Sequence, residues 1–395
     1  VTTASPIGRA PAKFRDPRLD FFRGLSLFII LVSHTRGNAL SDWIPARFGL
    51  SDAADMFVFV SGYAGGMAFG GVFKRRGWAM GTARIGLRLW QLYIAQLCVV
   101  MTVAALAALA DKVLGGDVDH VDLLALDYLF GSPRDALPGI VTLTYVPHYL
   151  DILPVYIAVL AMVPAAVALA RIRPVLVPVA SVALWAAANA FGWNMPNEPS
   201  EPRGWFFDPF CWQLLFFSGF SISIGWLKPP PVGRPLFWVC VAYLAFGVAV
   251  TQPVIFGTIP GLDTVEAWIL AHADKTMLDP PQVLHFFASA YVVVVLLKGR
   301  ESLLTRPALR PFTTCGQQAL AVFISGIILA DLGGLAFDTV GTGWAAQIWV
   351  NLACFAATFA VAYLVAWVKS APWTKPPPVA APLAEPAGDP EAATG

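Results

Sequence analysis

Two residues near the start of the chain have types and spacing suited to group-transfer chemistry. The stretch Arg15-Asp16-Pro17-Arg18-Leu19-Asp20-Phe21-Phe22-Arg23-Gly24 runs into LSLFIILVS and ends at His34. Eleven residues separate Arg23 from His34, which on a helix is about three turns and about 16 Å along one face. No charge lies between Gly24 and Ser33, and a histidine so deep in an apolar run needs a partner or a task. Its pKa near working pH suits it to take a hydroxyl proton, as general base or as a transient carrier of the transferred group. The arginine fork suits phosphate oxygens. The blander alternatives are a histidine bonding a carbonyl of a neighbouring helix, and an arginine that anchors the helix end or pairs with Asp20 at i, i+3.

Other candidates gather around this pair. Asp52 and Asp55 stand where the next apolar segment begins. Asp55 is the expected hydrogen-bond partner that fixes the His34 tautomer and raises its basicity. Asp52 is either a substrate contact or a helix cap. Arg75, Arg76, Arg84 and Arg88 join Arg23 as a basic vestibule for a phosphate-bearing donor, or serve only as topology charges. Tyr145, His148, Tyr149 and Asp151 have the hydrogen-bonding groups to hold a sugar, and equally the look of an interfacial belt. Trp205, with Trp193 and Trp212, offers rings for sugar stacking, although Trp is common at membrane boundaries. Arg36 and Arg47 fall near the proposed site. His120, His272 and His285 have no ligand spacing, so no metal is expected. The five cysteines lack CxxC spacing and read as packed thiols. No P-loop, dinucleotide fingerprint or GxSxG stretch occurs.

The elements that must position these residues are membrane helices. The 395 residues are 57% hydrophobic and only 13% charged, about half the charge of an ordinary soluble domain. Apolar runs long enough to span recur throughout. Ten transmembrane helices are expected, at about 21–40, 53–72, 88–110, 149–170, 174–191, 209–227, 235–254, 282–298, 312–334 and 345–368, making an all-α polytopic membrane protein. No cleavable signal peptide is expected at the N-terminus. With cytoplasmic N- and C-termini, the inside segments are the N-terminal tail, 73–88, 171–173, 228–234, 298–310 and the C-terminal tail. They hold all of the 26 Lys and Arg except Arg36, Arg47, Lys112, Arg134, Arg203 and Lys275, the asymmetry of the positive-inside rule. Residues 1–14 are expected to be a cytoplasmic tail, 15–370 the membrane domain and 371–395 a disordered Pro/Ala-rich tail. Residues 111–148, 192–208 and 255–281 are long enough for lids or short re-entrant helices over an outward-facing cavity.

RDPRLDFFRGLSLFIILVSH resembles the first membrane helix of the OpgC family, within the acyltransferase-3 group, whose Arg-x10-His spacing is met by Arg23 and His34. GLSDAADMFVFVSGYAGG (Gly49–Gly66) resembles that family's second block, and Ser61-Gly62-Tyr63 matches the wider group's SG-aromatic ending. Arg84-x-x-x-Arg88 with Tyr93 is similar, more loosely, to the group's third-helix entry, and TYVPHYLDILPVY (Thr144–Tyr156) looks like a further block. The resemblance extends in outline over 15–368, with its specific motifs in the first 160 residues. It implies a bacterial inner-membrane O-succinyltransferase. Succinyl-CoA would be the cytosolic donor substrate, with no permanently bound cofactor, and a glucose hydroxyl of osmoregulated periplasmic glucans the acceptor. Arg36 or Arg47 would then hold the succinyl carboxylate. Membrane lipids are expected partners and nucleic acid is not; the oligomeric state stays open. Two alternatives stand beside this: the same fold with acetyl-CoA or another acceptor, and a secondary transporter or flippase without chemistry. Against the latter, the spans show no repeated halves.

Overall fold

A computed structural model describes residues 16–115, 118–197, 204–259, 261–272 and 274–374; the expected tails over 1–14 and beyond 374 lie outside the described residues. Asp16 starts the first helix by accepting from the Arg18 backbone N–H, and Pro17 supplies a pre-set φ at the first helical position. This helix, α1 (Pro17–His34), leads through two short 3-10 turns to α2 (Ala53–Gly65), then one π-helical turn and α3 (Gly71–Leu114). Short helices α4 (His120–Leu123), α5 (Asp127–Gly131) and α6 (Pro133–Thr142) precede α7 (Ile152–Ala161), α8 (Val163–Ala170), α9 (Leu176–Phe191) and α10 (Pro209–Ser223). The second half holds α11 (Arg234–Thr251), α12 (Pro253–Phe256), α13 (Leu262–Ala271), α14 (Pro280–Leu297), α15 (Arg310–Gln317), α16 (Ala319–Val340) and α17 (Trp344–Lys369). Among the described residues there is no strand.

The described residues contain six segments long and apolar enough to cross a membrane, where ten were expected: Ala53–Leu114, Ile152–Ala170, Arg234–Thr251, Pro280–Leu297, Ala319–Val340 and Trp344–Thr374. The expected spans at 53–72 and 88–110 lie in one continuous helical run. The basic stretch between them is helical too, broken only at Gly77, whose φ of 80° takes the backbone out of the helix. The expected first span stops at His34 and carries Arg18, Asp20 and Arg23 within its 18 residues. Those at 174–191 and 209–227 shorten to 16 and 15 residues. The one at 312–334 divides at Gln318 into α15 and α16.

Among the helices that fall short, α10 is enclosed by protein, whereas α9 buries only Val177, Ser181 and Ala188. Seven consecutive residues of α10, Cys211 to Phe217, are all buried, so every face of it is covered. By contrast α11 and α17 turn Trp238, Val239, Trp344 and Trp349 outward, as lipid-facing helices do. A helix surrounded by other helices does not need the length or the uniform apolarity of one in contact with lipid. In place of a hydrophobic drive between apolar helices, close backbone approach holds the centre together. At the α1–α15 crossing, a Cβ on Gly24 would strike the Phe312 carbonyl and one on Gly316 the Asp20 carbonyl. At the α2–α10 crossing, Gly62 and Gly219 meet the Phe216 and Phe59 carbonyls in the same way. These two crossings fix α1 against α15 and α2 against α10, and α1 packs in turn on α2, the frame in which His34 sits.

Candidate functional site

His34 is the last residue of α1. Its Nδ1 lies 2.7 Å from the Ile30 carbonyl oxygen and 3.0 Å from Ser33 Oγ. A carbonyl oxygen only accepts, so Nδ1 carries the hydrogen and Nε2 is the lone-pair nitrogen of the neutral ring. The imidazole stands edge-on to Tyr149, with ring centroids 5.0 Å apart. Tyr149 itself has a φ of 65°, a left-handed conformation that non-glycine residues adopt at a cost and that clusters at functional sites.

His34 lines a cavity of about 590 Å³. Of the residues singled out in the sequence, Arg47, Asp52, His148, Tyr149, Asp151 and Trp205 line it too. Residues 197 and 204–207 form part of its wall, which is pinned in three places. Asn197 Oδ1 accepts from the Val146 N–H (2.7 Å), Trp205 Nε1 donates to the Leu143 carbonyl (3.0 Å), and Asn194 Nδ2 donates to the Trp205 carbonyl (2.9 Å). Trp205 is 3% exposed, so its indole is wall and not an open stacking face. Trp212 is wholly buried, whereas Trp193 and Phe206 are exposed.

Three expected members lie elsewhere. Asp55 does not orient His34, whose ring is set by the Ile30 carbonyl. The Asp55 carboxylate is fully buried at the first turn of α2, where it accepts from the Asp52 N–H (2.8 Å) in a capping box and from Gln282 Nε2 (2.9 Å). Arg36 pairs with Asp338 (3.1 Å), whose carboxylate also faces His120 Nε2 (3.1 Å). Tyr145 is buried, its hydroxyl donating to the Ala125 carbonyl.

The basic candidates separate as well. Arg23 and Arg88 line a second cavity of about 190 Å³ with Ser61 and Tyr156, and Arg23 donates to the Val60 carbonyl (3.1 Å). Arg75, Arg76 and Arg84 are exposed and line neither cavity. The two cavities share helices and nearly touch along them: Ala54 and Phe57 on α2, and the neighbours Ile152 and Leu153 on α7, face one each.

Lys275, Phe206, Phe207, Asn197 and Thr276 also line the His34 cavity and were not singled out in the sequence. Lys275 Nζ pairs with the Asp52 carboxylate and stands 5.9 and 5.6 Å from the ring centroids of Phe206 and Phe207. The signal for Lys275 was its place among the six cations outside the basic segments. Below the wall, Asp208 caps α10 by accepting from the Phe210 N–H (2.9 Å), and burial pushes its carboxyl up to about 6.

A neutral imidazole with one nitrogen committed and the other left basic is equipped to take a proton from a hydroxyl. It lies in a large cavity among membrane helices, one turn from a smaller cavity holding two arginines. The model of the OpgC protein family matches residues 15–370, and the chain belongs to that family, within the acyltransferase-3 membrane enzymes that act on polysaccharides. No curated protein and no solved structure matches it.

Proposed function

We propose that the protein transfers a succinyl group from succinyl-CoA to glucose hydroxyls of osmoregulated periplasmic glucans. His34 is the general base, in a bacterial inner membrane with both chain ends cytoplasmic and the His34 cavity facing the periplasm. The single observation that carries this is the His34 ring itself, with Nδ1–H given to Ile30 and Nε2 left to accept. The glucan hydroxyl loses its proton to Nε2 as its oxygen bonds to the thioester carbonyl carbon. The tetrahedral intermediate then collapses with cleavage of the C–S bond, and the departing thiolate takes the proton from the imidazolium. The ester and free coenzyme A leave.

The two cavities support the direction of entry. Arg23 and Arg88 supply forked donors for coenzyme A phosphates on the cytoplasmic side. The acyl end reaches His34 across the short separation on α2 and α7. Arg75, Arg76 and Arg84 add to the field that draws the donor to this face. His148, Tyr149 and Asp151 offer hydrogen bonds to the sugar, and Asp52 and Arg47 complete the chamber. Asp55 is a positioning residue that holds the start of α2, and so Asp52, against α14. Arg36 holds the end of α1 through Asp338, and Tyr145 braces the turn that carries His148 and Tyr149. The test is purified protein with succinyl-CoA and a glucan, read by mass spectrometry, beside His34→Ala. A succinyl mass increment on the glucan, lost in the variant, is expected; folded protein that transfers nothing from succinyl-CoA overturns the reading.

A further inference from the structure

Lys275 is held in place with unusual thoroughness for a residue outside any helix. Four successive backbone carbonyls each accept a hydrogen bond from α9 or from the start of α10. Lys275 takes Trp212 Nε1 (3.0 Å), Thr276 the Asp208 N–H (3.2 Å), Met277 Asn189 Nδ2 (3.1 Å) and Leu278 Trp185 Nε1 (2.9 Å). Non-helical backbone in a membrane protein is tolerated where protein satisfies it and it lines a cavity, and this segment does both. The effect is to fix one ammonium group in the chamber of His34, flanked by two phenylalanine rings.

The positive-inside rule does not account for this cation, because it stands outside the basic segments. The other such cations have plainer explanations: Arg36 is engaged by Asp338, and Lys112 and Arg134 are exposed. Among the described residues only Arg47 shares the chamber with Lys275, and Arg203 lies outside them. Asp52, which pairs with Nζ, is an incomplete use of the lysine. An ammonium has three N–H donors, and a half-exposed ion pair contributes little stability, so a better-placed carboxylate can share or displace it. Asp151 also lines the chamber, on the α7 side, and adds a negative charge that a second anion must overcome.

We propose that Lys275 recognises a carboxylate at the far end of the acyl group being transferred, and so decides which acyl group the enzyme accepts. The inference rests on the transferase reading above and adds the residue that sets its specificity. A carboxylate can also enter the chamber as an acidic substituent of the acceptor, and the experiment separates the two sources.

The full chain in detergent is assayed with a neutral glucan and either succinyl-CoA or butyryl-CoA, which has a methyl in place of the carboxylate. Lys275→Met is expected to lower kcat/KM for succinyl-CoA by about 10- to 100-fold, the worth of one charge-assisted hydrogen bond, and to leave butyryl-CoA within about twofold. Lys275→Arg retains most of the preference. Asp52→Asn, which still caps α2, strengthens it. Equal loss with both donors overturns the proposal, because Lys275 then serves a step common to all acyl groups; so does no change with either. An effect confined to glucans that already carry acidic groups also overturns it, in favour of the acceptor. Calorimetric binding of the two donors to wild type, Lys275→Met and Lys275→Gln reads the same selectivity without turnover. A wild-type protein that binds succinyl-CoA selectively through Lys275 but transfers nothing therefore sinks the transferase reading alone.

Discussion

The two cavities on either side of the α1–α2–α7 junction are built in different ways. The one around Arg23 and Arg88 is lined by helical residues throughout, small and mostly apolar apart from its arginines. The one around His34 has about three times the volume and takes much of its wall from connections: the turn at His148 and Tyr149, the 204–207 strip and the segment at Lys275 and Thr276. A narrow helical slot suits a fixed, elongated donor that every turnover uses. A broad chamber walled by pinned loops suits an acceptor that is large and varied. On the proposed function, positioning by helix periodicity would serve the constant reactant, and positioning by loops the variable one.

The largest expected effect tests the reactive end. His34→Gln keeps the size of the side chain and removes the basic nitrogen, so transfer should fall by at least about 100-fold, with the donor's KM little changed. A comparable rise in that KM would erase the distinction between the cavities. At the other end, Arg23→Gln and Arg88→Gln should each raise the donor's KM by about tenfold and leave the acceptor's within about twofold. Arg75→Gln, Arg76→Gln and Arg84→Gln should change the donor's KM by less than about threefold, since they line neither cavity. An Arg84 effect as large as that of Arg88 would mean that the donor lies along the exposed face of α3 instead of in the slot.

The same contrast explains what the sequence reveals. Arg23, His34 and Arg88 lie on long helices, where spacing alone says which residues share a face. His148, Tyr149 and Asp151 are close in sequence as well as in space, so the cluster is visible without a fold. Lys275 is not: 223 positions separate it from Asp52, and nothing local in DKTMLDPP says that Trp185, Asn189 and Trp212 will hold it there. Asp55 fails in the opposite way. Its distance from His34 along the chain is short, but a carboxylate at the third position of a helix has a nearer use, closing the capping box on Asp52. The number of spans misled for a related reason. Hydropathy measures contact with lipid, whereas α10 is enclosed by protein and α1, which ends at His34, carries Arg18, Asp20 and Arg23 within its 18 residues.

Asp55→Asn should therefore act on stability more than on chemistry. Turnover is expected to stay within about threefold of wild type, while the lost bonds to Asp52 and Gln282 cost about 1–2 kcal/mol, seen as a fall of a few degrees in the melting temperature. A large loss of kcat with an unchanged melting temperature would restore Asp55 to the reacting groups and blur the line between the chamber and its supports.

The smallest effect concerns Asp208, which supports only the chamber: its backbone N–H holds the Thr276 carbonyl beside Lys275. Burial raises its carboxyl from the ordinary 3.8 to about 6, so between those values the folded protein binds the extra proton and the unfolded chain does not. The stability this lends is fully present below about pH 4 and is lost as the pH rises through about 6, beyond which it stays flat. Asp208→Asn caps α10 nearly as well and cannot titrate. The melting temperature of this variant minus that of wild type should therefore climb by a few degrees between pH 4 and pH 7, a difference in which the titration of other carboxylates cancels. Over the same interval the donor's KM, set in the Arg23 slot, should respond no differently in the two proteins. A flat melting difference would mean that the Asp208 carboxyl is hydrated in the folded state. A KM that moved with it would mean that the slot and the chamber open together, and the two cavities would have to be treated as one.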